Sequence, residues 1–474
     1  MSDLEFGGFD GENDDEQSRR DRSEDALKKY RDMLRNGASK ITNIEALEEI
    51  VGYYFENEKF DEALRFVDQL LALVPYSADA WQRKGLILSN LARFDESLAA
   101  FDRALSLNPV DPEIHINRGI TLDDLGRTDE AVASFEQALE LDPSNEDAVF
   151  NKGITLEKAG RYEQAAGIFR FILESNPDHK ESWYEAGYCY DYLDRPEESL
   201  RCYDEHLRRD PYNYNGWYNR GIVLSRMLNF NTALESYDMA IAIRENFPAA
   251  WYNKGNAYAN LGRLHDAIAC YRETLRLEAR DVPAWHNLGN AFEELGEYEE
   301  AIRCFSSALG VDPEHYESYF GRGSCYDVRE EYRKALGDYN RALALCRDYP
   351  ELWYAKADLL YNMGRVRESL SCYRMVTRLE PGNFEAWLDY GETLQELGYL
   401  RQALKAFDKA VESNPRSADP HYCRAKVLVA LRRYFDAAES FRTSFQIDPD
   451  KKLEFERDYP GSRSIKELRN LLKA

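Results

Sequence analysis

Residues 250–263 read AWYNKGNAYANLGR, and thirty-four residues further on residues 284–297 read AWHNLGNAFEELGE. A phrase that returns at a fixed short interval constrains the fold more than composition does. A unit of that size cannot bury a core alone and has to stack on copies of itself. The register holds from residue 44 to residue 451 without insertion or deletion, giving twelve units. All seven tryptophans fall on the fourth residue of a unit, from Trp81 to Trp387. The eighth residue is Gly in nine units, the twentieth is Ala or Ser in all twelve, the twenty-fourth is Phe or Tyr in eleven, and Pro closes nine.

That spacing predicts two helices per unit. Residues four, eight and eleven share one stripe of a helix, and residues twenty, twenty-four and twenty-seven share the stripe of a second. Small residues at eight and twenty let the helices approach, and the aromatic fills the space beside them. A short turn separates them, often with Gly, as in LGR at 125–127 and LGE at 295–297. Pro stops the second helix or starts the next unit. It is missing at Glu245, Ala279 and Arg347, where the junctions are expected to bend differently.

The order Trp, Gly, aromatic or Leu, Ala, Phe or Tyr, then Pro, on this period resembles the tetratricopeptide repeat family over residues 44–451. The resemblance implies an all-α fold, a right-handed α-solenoid superhelix of antiparallel helix pairs whose first helices line a concave groove. It also implies a binding scaffold without chemistry of its own. Around the repeats, residues 1–24 read as an acidic disordered tail. Residues 25–43 read as an N-terminal capping helix and linker, with Leu27, Tyr30 and Leu34 on one side, and Thr42 with Glu45 reads as a capping box. Residues 452–474 form a C-terminal capping helix region, with a last helix opened by Ser464 and Glu467.

Charge narrows the partners. The chain carries 61 basic against 86 acidic residues, a net of -25, which argues against nucleic acid and against anionic membrane surfaces. No apolar run is long enough to span a bilayer. The opening MSDLEFGGFDGENDDE lacks the basic-then-apolar order of a secretory signal, which points to the cytoplasm. Eight cysteines include no CxxC pair, and Cys202, Cys270, Cys304 and Cys372 share one repeat position, as reduced buried thiols would.

Function is expected on the stripe that packing does not need, positions two, six, nine and thirteen of the first helices, with position five at its edge. Position six is Asn at Asn117, Asn151, Asn219, Asn253 and Asn287, and position nine is Asn at Asn256 and Asn290. A carboxamide both donates and accepts, so such a ladder can clamp an extended peptide backbone, or else bond a neighbouring helix. Tyr184, Tyr218 and Tyr252 at position five offer flat contacts to a ligand chain or packing between first helices. Asp123, Asp124, Glu157, Asp191, Glu293 and Glu294 lie too far down their helices for the helix dipole to explain, and suggest a negative groove. The two-carboxylate clamp of some family members needs basic residues where this chain has Tyr252, Glu317 and Gly321, so binding of chaperone tails is not expected.

The seven histidines form no HExxH and no metal pair on one helix, and no phosphate loop or nucleophile elbow stands out. No enzyme, metal or cofactor is expected. The sequence reads as a scaffold or adaptor whose groove binds an extended, basic protein segment. A second reading is a structural subunit that holds a larger assembly by its convex face or terminal repeats.

Overall fold

The computed structural model describes Lys28, residues 43–460 and residues 465–469, without the Lys466 side chain. The tail expected at 1–24, the capping helix apart from Lys28, and the Thr42 and Ser464 starts lie outside these residues. Among the described residues there is no strand. Twenty-four helices alternate in length, each repeat opening with a 13-residue helix and closing with a 14-residue one, from Ile44–Glu56 and Phe60–Leu73 to Ala418–Ala430 and Tyr434–Ile447. Each first helix starts on the first residue of its unit. The chain divides into two compact units, with the border between Asn229 and Phe230 inside the sixth repeat. Within each unit, antiparallel helix pairs stack as an α-solenoid.

Physical chemistry accounts for each part of the repeat. Position thirty-four caps the next first helix: Ser77, Asp111, Asn145, Asn213, Asp281 and Asn383 accept a backbone N–H through a side-chain oxygen, and His179 and His315 do so through Nδ1. The same holds at the start, where Asn43 rather than Thr42 is the cap, with Oδ1 accepting from Ala46 N at 3.2 Å. The turn inside each repeat needs a left-handed residue at position fifteen. Gly supplies it six times, and Glu58, Ala92, Asp194, Leu228, Glu330 and Arg432 adopt φ of 55–61° in the others. At position eight the helices nearly touch: a Cβ on Gly119 would lie 2.7 Å from the Phe135 ring. Val51 sits opposite the smaller Val67 in the first repeat, so the pair trades bulk across the contact. The position twenty-four aromatics are buried throughout, Phe101, Phe135 and Phe305 completely.

Each tryptophan indole donates to the carbonyl at position thirty-two of the preceding repeat, as from Trp81 to Pro75 at 3.0 Å and Trp183 to Pro177 at 2.8 Å. The acceptor is a backbone carbonyl, so Pro itself is dispensable: Trp251, Trp285 and Trp353 bond Glu245, Ala279 and Arg347 in the same way. The Ala279 junction keeps the ordinary turn, with Asp281 N donating to Glu278 O at 3.1 Å. After Glu245 and Arg347 the proline moves to the first turn of the next helix (Pro248, Pro350), and Phe247 and Tyr349 give no side-chain cap. The cap and the proline therefore differ from the other junctions at two of the three sites. At the C-terminal end Phe455 and Leu468 are buried against Phe441 and Tyr422 of the twelfth repeat.

Candidate interaction face

Hydrogen bonds between repeats define a face built from first helices, on which position six of one repeat meets positions five and nine of the repeat before it. In the first unit, Asn219 Nδ2 donates to the Tyr184 hydroxyl at 2.9 Å. Tyr184 packs edge-on against Tyr203 and His206, and burial pushes its phenol up to about 12. In the second unit, Asn287 Nδ2 donates to the Tyr252 hydroxyl and to Asn256 Oδ1, both at 3.0 Å, and the Tyr271 hydroxyl donates to the same Asn256 oxygen at 2.8 Å. With Asn260, Asn290 and Glu294, these carboxamides line a cleft of about 380 Å³. Asn290 lies 3.1 Å from His286 Nε2; burial beside His315 pushes His286 down to about 4, so a neutral ring accepts that bond.

Two of the predicted asparagines bond differently. Asn151 turns back to the Asp147 carbonyl of its own helix at 2.8 Å, and Asn117 is half-buried, its carbonyl accepting from the Thr121 hydroxyl. Tyr218 and Asn253 are half-buried on the first helices of repeats six and seven. Of the acidic set, Asp123 is paired with Lys158 at 2.7 Å and Asp191 with Arg226 at 2.5 Å, so these two do not present free charge. Asp124 is exposed. Glu157 and Glu185 hydrogen-bond each other across repeats four and five; burial pushes both up, Glu157 to about 6 against the stabilising Glu185 bond and Glu185, which also meets the Glu157 charge, to about 8, so the pair retains a proton at neutral pH. Burial also raises Glu293, which Ser324 hydrogen-bonds, while Glu294 is exposed.

The most acidic stretch of this face was not singled out by the spacing argument. On the first helices of repeats nine to eleven lie Asp327, Asp358, Asp389, Glu392 and Glu396, and none makes an ion pair among the described residues. The partners of the last four are neutral donors. Tyr354 donates to Asp389, Tyr373 to Asp358 at 2.5 Å, Tyr361 to Glu396 at 2.7 Å and the Cys423 thiol to Glu392 at 3.3 Å. Burial raises Asp327, Asp358 and Asp389; the last reaches about 6, with Asp358, Glu392 and Glu385 adding repulsion against the stabilising Tyr354 bond. The signal was present in the sequence: Asp389 holds position six, which is Asn in five other repeats, and Asp358 holds position nine, which is Asn in two.

Two models of the tetratricopeptide repeat match the chain, one over residues 49–112 and 83–146 and the other over residues 124–183. The chain is a tetratricopeptide repeat protein. Further along this repeat array, residues 220–455 match the family described as the cilia and flagella-associated protein 70 C-terminal domain, and residues 196–227 match a protein prenyltransferase alpha subunit repeat. No curated protein sequence matches the chain. Among solved structures it is similar to YrrB, described as a TPR protein with an unusual peptide-binding site, at 24% identity over 38% of this chain and 93% of that one, with a TM-score of 0.36. It is similar to MamA at 22% identity over 34% and 94%, with a TM-score of 0.34. A third match is the C-terminal part of a TPR repeat-containing protein from Cytophaga hutchinsonii, at 17% identity over 50% and 97%, with a TM-score of 0.45. Tetratricopeptide repeat proteins bind proteins or peptides, and the repeat family points to a non-enzymatic scaffold. Among the described residues no helix is long and apolar enough to cross a membrane, and no group of His, Cys, Asp and Glu is arranged to hold a metal ion.

Proposed function

We propose that this protein is an adaptor whose first-helix face binds an extended, basic segment of a partner protein. The observation that carries the reading is the run of Asp327, Asp358, Asp389, Glu392 and Glu396, the last four of which take neutral hydroxyl or thiol donors, and all of which lack a cation among the described residues. Crowded carboxylates repel one another, and a lysine or arginine side chain laid between them relieves that repulsion. Asn256, Asn287 and Asn290 beside Tyr252 supply the polar cleft in which a peptide backbone finds donors and acceptors.

The test is fluorescence anisotropy with a labelled twelve-residue peptide of alternating Lys and Gly, using an alternating Glu and Gly peptide as control. The full chain is compared with the Asp358→Asn, Asp389→Asn double variant. Asn keeps an oxygen for the Tyr373 and Tyr354 hydroxyls, so folding is retained. Affinity for the basic peptide should fall about tenfold, a loss of about 1.4 kcal/mol, and the wild-type affinity should weaken with salt. Equal affinity of the two proteins would overturn the assignment to this face.

A further inference from the structure

The sides of the repeats opposite these carboxylates follow a rule of their own. Position seven of a first helix is usually basic, and it reaches back sixteen residues to an acid at position twenty-five of the preceding repeat. Lys84 meets Asp68 at 2.8 Å, Arg118 meets Asp102 at 2.9 Å and Lys152 meets Glu136 at 2.8 Å. Arg220 with Asp204, Lys254 with Asp238 and Arg424 with Asp408 repeat the pairing. On the way the base crosses the tryptophan of its own repeat, as Lys84 does over Trp81 and Lys254 over Trp251. The ion pair thus bridges the seam between two repeats with a long side chain.

Three junctions exchange both members of the pair at once. Position seven becomes Ala186, Leu288 or Tyr390, and position twenty-five of the repeat before becomes Arg170, Arg272 or Arg374. At Leu288 the arginine covers the seam itself, since Arg272 lies over the Phe292 ring. At Ala186 a cleft remains, with Arg195 over the Tyr190 ring and Arg209 over the Trp183 ring; at Tyr390 the tyrosine packs edge-on against Trp387. A cleft of about 870 Å³ surrounds Ala186, Trp183 and Tyr190, and one of about 470 Å³ surrounds Tyr390, Trp387 and Leu394. The two clefts occupy equivalent places in repeats five and eleven, one in each compact unit.

The charge left over in each cleft is positive. Arg170 and Arg201 border the first and Lys405 the second, all exposed and without an ion pair among the described residues. The acids in the first cleft are already engaged: Glu198 by Arg195, Asp204 by Arg220, and Glu205 by both Arg208 and Arg209. Glu174 alone opposes the two free arginines there.

From this geometry we infer that the seam at repeat five is a docking site for an acidic segment of a partner protein that carries a bulky apolar side chain. The apolar group fills the space that the position-seven base fills elsewhere, against Trp183 and Tyr190. The flanking carboxylates take the place of the missing position-twenty-five acid and pair with Arg170 and Arg201. Such a site is separate from the carboxylate face, so one chain holds a basic and an acidic segment on different surfaces.

The probe is a fluorescein-labelled peptide EDFEEDFEED, titrated into the full chain, with KDFKKDFKKD as control. The acidic peptide should bind and the basic one should not bind at this seam. Two variants report on the mechanism. Arg170→Glu with Arg201→Glu reverses the free charge at exposed positions and should weaken binding at least tenfold. Arg170→Asp with Ala186→Lys rebuilds the ion pair seen at Lys152 and Glu136, closes the seam, and should weaken binding as much while leaving the thermal midpoint unchanged or higher. Unchanged binding in both variants overturns the site. Binding that strengthens in a Phe6→Ser, Phe9→Ser chain would show the protein's own acidic N-terminal segment competing for the seam, and would overturn the assignment to a separate partner. Neither variant touches the carboxylate face, so binding of the Lys and Gly peptide should be unaffected.

Discussion

Ser97, Ser199 and Ser369 occupy position twenty in three different repeats, yet their hydroxyls meet different surroundings. Ser97 and Ser199 donate to the carbonyls of Gly85 and Gly187 at 2.7 Å. Ser369 is equally buried, and its Oγ finds no partner among the described residues. A buried hydroxyl without a bond costs about 1–3 kcal/mol, whereas one that is bonded contributes about 0.5–1.5 kcal/mol net. The same substitution should therefore have opposite signs: Ser97→Ala should lower stability by about 1 kcal/mol, and Ser369→Ala should raise it by a similar amount, in urea unfolding followed by circular dichroism. Ala stands at this position in nine of the twelve repeats, so the methyl fits the site sterically. Matching signs for the two variants would mean that the Ser369 hydroxyl is satisfied in solution.

At the level of the helix pair, the turn is where chain geometry overrides composition. Position fifteen is left-handed in all twelve repeats, and Leu228 adopts φ 58° there while 74% exposed. A left-handed conformation costs an L-residue about 1–2 kcal/mol, which Gly avoids at a smaller entropic cost. Leu228→Gly should raise the urea midpoint by the equivalent of about 0.5–1 kcal/mol, and Gly262→Leu should lower it; no change in either would show that the turn relaxes. Helix starts, the close contact at Gly119 and the buried aromatics were legible in the sequence because each depends on spacing within one repeat. The bonds from Asn219 to Tyr184 and from Lys152 to Glu136 were not. They join different repeats at offsets of 35 and 16 residues, which depend on how one pair sits on the next. The same limit hid the pairing of Asp123 with Lys158, which makes a predicted groove carboxylate part of a neutral bridge.

Across the whole molecule, buried carboxyls and net charge act on stability in the same direction and can be told apart. Glu185 is raised from 4.5 to about 8 and its neighbour Glu157 to about 6, chiefly by burial. The folded chain therefore holds protons that the unfolded chain releases once the pH exceeds the ordinary carboxylate range. Stability should fall as pH rises from about 4.5 to about 8 and level off above, since the slope follows the excess of protons in the folded state. The net charge of -25 adds a distributed repulsion that also grows as carboxylates ionise. Salt separates the two, because at about 0.5 M the distributed term is screened over a few ångströms while a buried pair is screened far less. The slope that survives in high salt between pH 5 and 8 should belong largely to the pair. Glu185→Gln keeps a hydrogen-bonding group toward Glu157 and removes the ionisation, so it should flatten that slope and raise stability most at pH 8. Urea unfolding at a series of pH values in both salts measures this. A surviving slope that Glu185→Gln leaves unchanged would place the retained protons elsewhere, with Asp389, raised to about 6 among the repeat-eleven carboxylates, the next group to neutralise.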